Sequence, residues 1–242
     1  MNWTQVNIVA RSTVQMVTYV GSTIVWALVA MLTIPLPYRQ RYWWITRWTH
    51  FNLWVLERVC RIEVDVQGIE HIPPGGGIVL CKHQSTWETL ALQRWFSPQT
   101  WVLKRELLRL PLFGWAISLL QPIAIDRGGA AKALRQLVQQ GSERLSEGRW
   151  VVIFPEGTRM QPGQAGRYHL GGALLAERTG ATVVPVAHNA GRFWGRGRFL
   201  KYPGVIQVRI GPPIHSDNRK AAEIMRLAEE WIEGQMRSID AP

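Results

Sequence analysis

Hydrophobic and polar positions along this chain change their rhythm three times, and each change predicts a different kind of element. From Val14 to Ile34, "VQMVTYVGSTIVWALVAMLTI", 21 consecutive residues carry no charge. As a helix they would extend about 31 Å, close to the hydrocarbon thickness of a bilayer. Gln15, Thr18, Ser22 and Thr23 moderate the hydrophobicity, so a helix lying partly in the interface fits as well as one that spans. No small-x-small cleavage site follows before "IPLPYRQRYWW", which argues for a retained anchor over a cleaved signal peptide. In the next stretch, "YRQRYWWITRWTHFNLWVLERV", Tyr42, Trp43, Trp44, Trp48 and Trp54 lie among Arg39, Arg41, Arg47 and Arg58. Indoles favour the headgroup region and arginines favour anionic lipid, so this predicts a second helix on or in the membrane surface. A tryptophan-rich helix packed on a core is the competing reading.

From about residue 61 the rhythm becomes that of a soluble α/β domain. Short apolar or alternating runs bounded by glycine, proline or polar turns predict strands in "RIEVDVQG", "GIVLCK", "TWVLK", "PIAID", "WVVIFP", "TVVPVAH" and "VIQVRIG". Helical spacing separates several of them, most clearly in "AAKALRQLVQQGSERLSEG" and in the last segment, where Ile224, Leu227, Ala228, Trp231, Ile232 and Met236 recur. The fold class expected is α/β, a central mostly parallel or mixed sheet flanked by helices, with an N-terminal membrane-associated helical segment. The expected division is residues 1–60 as membrane-anchoring helices and 61–242 as the domain that carries any chemistry.

Charge narrows the partners. A formal net charge of +11 and a pI near 10.5 call for an anionic partner: a membrane surface, nucleic acid or a phosphorylated substrate. The arginines interleave with aromatics beside an apolar segment and no nucleic-acid motif is present, so nucleic acid is not expected. Arg39, Arg41 and Arg47 follow the apolar segment while only Arg11 precedes it. The positive-inside tendency then puts the protein at the inner, cytoplasmic membrane with its carboxy-terminal bulk on the cytoplasmic side. Cys60 and Cys81 make neither a disulfide framework nor a zinc cluster and read as buried thiols in a reducing compartment.

Two stretches carry candidate chemistry. In "CKHQSTWETL", His83 follows a strand and Glu88 lies five positions on, where Ser85 or Thr86 could cap a helix starting near Trp87. On one continuous helix or one strand these two side chains diverge, so contact requires a bend. A strand-turn-helix junction supplies it, letting Glu88 hold one imidazole nitrogen while the other serves as a base. This is the base and orienter of a triad without a protein nucleophile. Other readings stand beside it: a zinc site, although ligands at metal spacing are missing; a serine hydrolase, although no Gly-x-Ser-x-Gly elbow occurs; Cys81 as nucleophile; and a helix cap beside a surface acid. The second stretch is "VVIFPEGTR", a strand end where Gly157 permits unusual backbone angles and Arg159 offers a fork of donors to a phosphate. It lacks the spacing and lysine of a P-loop.

Together these stretches resemble the glycerolipid acyltransferase family, in particular its 1-acylglycerol-3-phosphate acyltransferases. "HQSTWE" is similar to the family's first block, a histidine, four residues and an aspartate, with Glu88 in the aspartate's place. "PIAIDRG" resembles the second block, "FPEGTR" the third and "VVPVAHN" the fourth, all in the family's order across residues 78–190. The resemblance implies that His83 and Glu88 are catalytic and that the acceptor's own hydroxyl is the nucleophile. It implies that Arg127, Glu156, Gly157 and Arg159 bind the substrate phosphate and that Pro185 shapes the acyl-donor side. "WVLKREL" is similar to the segment between the first two blocks, which adds Lys104 as a phosphate ligand. The partners implied are the lipid bilayer, lysophosphatidic acid, and acyl-CoA or acyl-carrier protein as co-substrate, with no further cofactor and no metal. Another acceptor, such as glycerol 3-phosphate, a different lysophospholipid or a lyso-ornithine lipid, stays open, as does a non-enzymatic membrane-bound anion-binding protein. Backbone amides at the start of the Glu88 helix are the candidate oxyanion donors. The segment "GRFWGRGRFLKYPG", residues 191–204, mixes four cations with four aromatics and is expected to touch the bilayer or the donor's anionic carrier.

Overall fold

The computed structural model describes residues 3–126 and 128–240. The chain opens with two helices, α1 (Trp3–Leu32) and α2 (Tyr38–Val59), and continues through strands and helices in turn. These are β1 (Ile62–Gln67), β2 (Gly77–Cys81), α3 (Trp87–Ala91), β3 (Gln99–Lys104), α4 (Phe113–Ser118), β4 (Ile123–Ile125) and α5 (Ala130–Ser146). There follow β5 (Trp150–Ile153), α6 (Gly171–Thr179), β6 (Val183–His188), α7 (Ala190–Phe193), β7 (Gly204–Ile210) and α8 (Ala221–Ile239). Every predicted strand is present within two residues of its expected bounds. Buried strands of such sheets are near-continuous apolar runs, and β2 and β6 are buried at every position.

The strands form one sheet in the order β1-β7-β6-β2-β5-β3-β4. All neighbours pair in parallel except β6 with β7, so the sheet is mixed. The pleat divides its side chains between two cores. Val79 and Cys81 of β2 face a cluster with Leu53 and Leu56 of α2, Trp87 of α3 and Trp194. Ile78 and Leu80 face the opposite cluster with Leu175 of α6 and Ile224, Ala228 and Ile232 of α8. The α2 helix is therefore built into the sheet's core and is more than a tether.

Helix α1 is long and apolar enough to cross a membrane, yet one side of it is held by protein along most of its length. Ser12, Gln15, Ser22, Ala27 and Ala30 form the buried stripe, while Val14, Val17, Val25, Leu28 and Leu32 stay exposed on the other side. The Ser12 hydroxyl accepts the Lys201 amide at 2.9 Å, Tyr19 packs its ring against Trp48 with centroids 5.1 Å apart, and Asn52 donates to Ser22 at 3.2 Å.

The carboxyl ends of β2, β3, β4 and β5 open on a cavity of about 1370 Å³. Helices α1 and α2 close one side of it, and α4 and α5 another. Loops at the carboxyl ends of strands are where α/β sheets gather functional groups.

Candidate active site

The turn after β2 is organised by a single carboxylate oxygen. Lys82 still pairs with Val186 as a strand residue would, and then the chain bends. The Glu88 Oε1 atom accepts the amide N–H groups of Gln84 (2.8 Å) and Ser85 (2.7 Å), and the Ser85 hydroxyl accepts the amide of Trp87 at 3.0 Å. This is the reciprocal logic of a capping box, a serine followed three residues later by a glutamate. The same Oε1 also accepts Nδ1–H of His83 at 2.8 Å. Helix cap and imidazole orienter, rival readings at the level of sequence, are thus one residue acting in both capacities. Because α3 starts at Trp87, the longer glutamate reaches back to His83 without distortion of the helix.

An ionised carboxylate only accepts, so His83 carries its proton on Nδ1 and presents the lone pair of Nε2. Full burial alone would raise the Glu88 pKa; His188, His83 and the Ser85 amide outweigh it and hold the carboxyl below its ordinary value. His188 lies on the far side of Glu88, with Nε2 at 3.8 Å from Oε2. Its Nδ1 accepts the Ala190 amide at 3.2 Å and its Nε2 donates to the Lys82 carbonyl at 2.8 Å, the pattern of a neutral imidazole. Burial holds its pKa below the ordinary histidine value, against the pull of Glu88.

The "FPEGTR" loop holds His83 from the neighbouring strand. The Phe154 ring stacks on the imidazole, with centroids 4.0 Å apart and an interplanar angle of 16°. Glu156 Oε2 accepts the His83 amide at 3.0 Å, and the Met160 amide donates to the His83 carbonyl at 2.7 Å. Gly157 closes the turn by donating to the Phe154 carbonyl at 3.0 Å, with φ of +65°, a conformation that favours glycine. The β2–β5 pairing, which sets Leu80 beside Ile153, is what brings these two loops together.

Of the residues singled out from the sequence, His83, Lys104, Glu156, Gly157 and Arg159 all line the one cavity. Glu88 lies behind His83 and is fully buried. Arg159 is half-buried, with Nε enclosed and unpartnered among the described residues, and Lys104 is exposed at the end of β3. Arg127 lies outside the described residues. The geometry bears on three further expectations. Glu156 does not offer its carboxylate to a phosphate: both oxygens are occupied by Lys82, Gly166 and His83, and an anion there would repel another. Pro185 does not border the cavity; it sits on the sheet face opposite the one shared by Val79 and Cys81, at Gly211 and Trp231. The amides of Gln84 and Ser85 are consumed by Glu88 and are not free for an oxyanion.

The arginine-rich segment also divides. Lys201 is buried beneath Trp194 and Phe199, and Arg192 pairs with Asp240 at 3.1 Å. Arg196 lines the cavity beside Arg159 and donates to its carbonyl at 3.4 Å. Cys81 is fully buried and burial pushes its thiol pKa well up, so it offers no thiolate. The cavity is thus polar and cationic near His83 and apolar over the rest, where Trp26, Leu103, Leu120, Leu134 and Leu137 line it. That is the chemistry of a site for one charged headgroup and a hydrocarbon chain, and its volume exceeds the roughly 300–1,000 Å³ of ordinary small-molecule pockets.

Comparison with known proteins gives the same direction. Residues 63–189 match the Acyltransferase family. The 1-acyl-sn-glycerol-3-phosphate acyltransferase of Pseudomonas aeruginosa is 46% identical over 224 residues, 90% of this chain and 87% of that protein. The protein of the same name from Limnanthes douglasii is 26% identical over 200 residues, 81% of this chain and 70% of that one. In fold, the chain is similar to the crystal structure of the 1-acyl-sn-glycerophosphate (LPA) acyltransferase PlsC from Thermotoga maritima. The TM-score is 0.78 at 20% identity, over 97% of this chain and 95% of that one.

Proposed function

The chain belongs to the Acyltransferase family, and from that premise we propose that it acylates the free hydroxyl of 1-acylglycerol 3-phosphate from an acyl thioester, giving phosphatidic acid. The observation that carries this reading is the pairing of His83 with the buried Glu88, which leaves the Nε2 lone pair of a cavity-lining imidazole free where the cavity is cationic nearby and apolar beyond. His83 Nε2 takes the acceptor's hydroxyl proton as the oxygen attacks the thioester carbonyl. The tetrahedral adduct then expels the thiolate, and the imidazolium returns its proton to the departing sulfur. Glu88 stabilises the imidazolium between these steps, and Phe154 keeps the ring in plane. General-base assistance contributes about 10²- to 10⁴-fold, so holding the two substrates together supplies much of the remainder. Arg159, Arg196 and Lys104 provide that hold through the acceptor phosphate. Either coenzyme A or acyl-carrier protein would serve as the thioester's carrier, and the reaction as written needs no other cofactor.

The membrane supplies the acceptor and receives the product. The contacts of Ser12, Tyr19 and Ser22 with the domain keep α1 alongside it, which favours a helix lying in one leaflet with Val17, Val25, Leu28 and Leu32 in hydrocarbon. The site then opens at the cytoplasmic face of the inner membrane. Purified protein in mixed micelles, given labelled acyl-CoA or acyl-carrier protein and a panel of acceptors beside His83→Ala, tests the proposal. Transfer to 1-acylglycerol 3-phosphate that vanishes in His83→Ala is expected. Transfer that survives the substitution would refute the mechanism, and transfer only to acceptors without phosphate would refute the substrate.

A further inference from the structure

Lys82 precedes His83, and the alternation of β2 sends its side chain to the other face of the sheet, toward α8. It is a fully enclosed lysine, 1% exposed, and lysine is rarely buried unless paired. An ammonium has three protons, and here each has an acceptor: Glu156 Oε1 at 2.7 Å, Glu233 Oε1 of α8 at 2.8 Å and the Gln164 carbonyl at 3.0 Å. Tyr168 donates its hydroxyl to the same Glu233 oxygen at 2.7 Å. Glu156 in turn holds the Gly166 amide through Oε1 and the His83 amide through Oε2. One unbroken path of hydrogen bonds therefore runs from α8 to the main chain of the base. Neither Lys82, Glu233 nor Tyr168 lines the cavity.

Stability is a weak explanation for this arrangement, because well-packed apolar residues replace buried ion pairs at little or no loss. Geometry is a better one. The Glu156 side chain is completely shielded from solvent, and without the ammonium it would carry an uncompensated charge next to Glu233. It would then move, and that changes how it grips the His83 amide. We propose that Lys82 is a positioning residue for acyl transfer: clamped by Glu233, it fixes the Glu156 carboxylate and through it the distance from His83 Nε2 to the acceptor hydroxyl. The inference rests on the proposed acyl transfer and adds the device that aims its base.

The full chain in mixed micelles, as wild type, Lys82→Met and Glu233→Gln, provides the test. Steady-state kcat and the acceptor KM are read together with the His83 signal of ¹³C-labelled histidine, assigned by its loss in His83→Asn. Misplacing a reacting group by about 1 Å costs on the order of 100-fold. Lys82→Met is therefore expected to lose about 100-fold in kcat, with the acceptor KM within about threefold and the His83 signal shifted. Glu233→Gln, altered at a side chain with contact to solvent, is expected to lose about three- to tenfold, because Lys82 keeps Glu156 and Gln164. A folded Lys82→Met with wild-type kcat overturns the proposal. If Lys82→Met does not fold, Glu233→Gln decides alone, and wild-type kcat with an unmoved His83 signal overturns it. The histidine signal also separates the two claims: a shift in a protein that acylates no acceptor would refute the proposed function and leave the positioning path standing.

Discussion

Substituting Glu88 by glutamine removes one charge and almost nothing else. In the wild type, Oε1 accepts three N–H groups, from His83, Gln84 and Ser85, while Oε2 accepts no hydrogen bond among the described residues. The two backbone donors keep an amide oxygen at the Oε1 position, so glutamine preserves the His83 tautomer and turns its NH₂ toward the Oε2 site. What is lost is the attraction between carboxylate and imidazolium. At a hydrogen-bond length of 2.8 Å the charge centres are about 4 Å apart, worth about 4 kcal/mol at an effective dielectric of 20. At about 1.4 kcal/mol per tenfold, kcat should fall about 10³-fold. Glu88 does not line the cavity, so the acceptor KM should stay within about threefold. Glu88→Asp keeps the charge and should remain within about tenfold of wild type, because the short helix α3 can shift to follow the shorter side chain. Continuous detection of the released coenzyme A thiol, with acceptor varied at saturating donor, measures both constants. Equal kcat in wild type and Glu88→Gln, or a loss confined to KM, would refute the argument.

Arg159→Gln should raise the KM for 1-acylglycerol 3-phosphate about 10- to 100-fold, the worth of a charge-assisted contact, and leave an acceptor without phosphate unaffected; equal effects on both acceptors would contradict phosphate binding. Replacing Val17 and Leu28 together by aspartate should cut binding to anionic vesicles at least about tenfold while kcat in micelles holds, because both side chains are exposed on α1 and neither lines the cavity. Stability should fall on acidification below pH 6.5: the folded state keeps His188 neutral, so the unfolded chain binds that proton first. The slope for this one group reaches about 1.4 kcal/mol per pH unit, and Glu88, whose pKa is also lowered, adds a further loss only below the ordinary carboxylate range. Denaturant midpoints that do not change between pH 7 and 5.5 would count against a buried neutral His188.

The local features were open to reading in advance because the physics behind them is local. A buried strand must be a short apolar run between turn residues and a half-buried one an alternating run, and the seven strands carry one mark or the other. The bend between His83 and Glu88 is made within six residues, by a serine, a glutamate and the amides between them. The loop glycine declared a turn, and the arginine after it stood out as a candidate anion ligand. The role of Glu156 was not legible, because its meaning depends on Lys82 74 positions away and on Gly166 across the loop. The pleat offered one signal that could have been used: in a strand followed directly by a histidine that faces a cavity, the preceding lysine must point to the opposite face and find a partner there.

By itself, then, the sequence determined which segments become strands and helices, that His83 and Glu88 meet, and that an apolar helix precedes a basic, aromatic one. The tertiary structure alone decided that β5 lies beside β2, which stacks Phe154 on His83 and lets Glu156 hold its amide. It alone decided that α1 lies along the domain, that Arg196 joins Arg159 at the cavity, and that α8 reaches His83 through Lys82 and Glu156. The physical reason is the range of the interactions. Backbone periodicity and capping act over a few residues and are written in consecutive letters, whereas strand order and buried ion pairs join residues that only the closed fold makes neighbours.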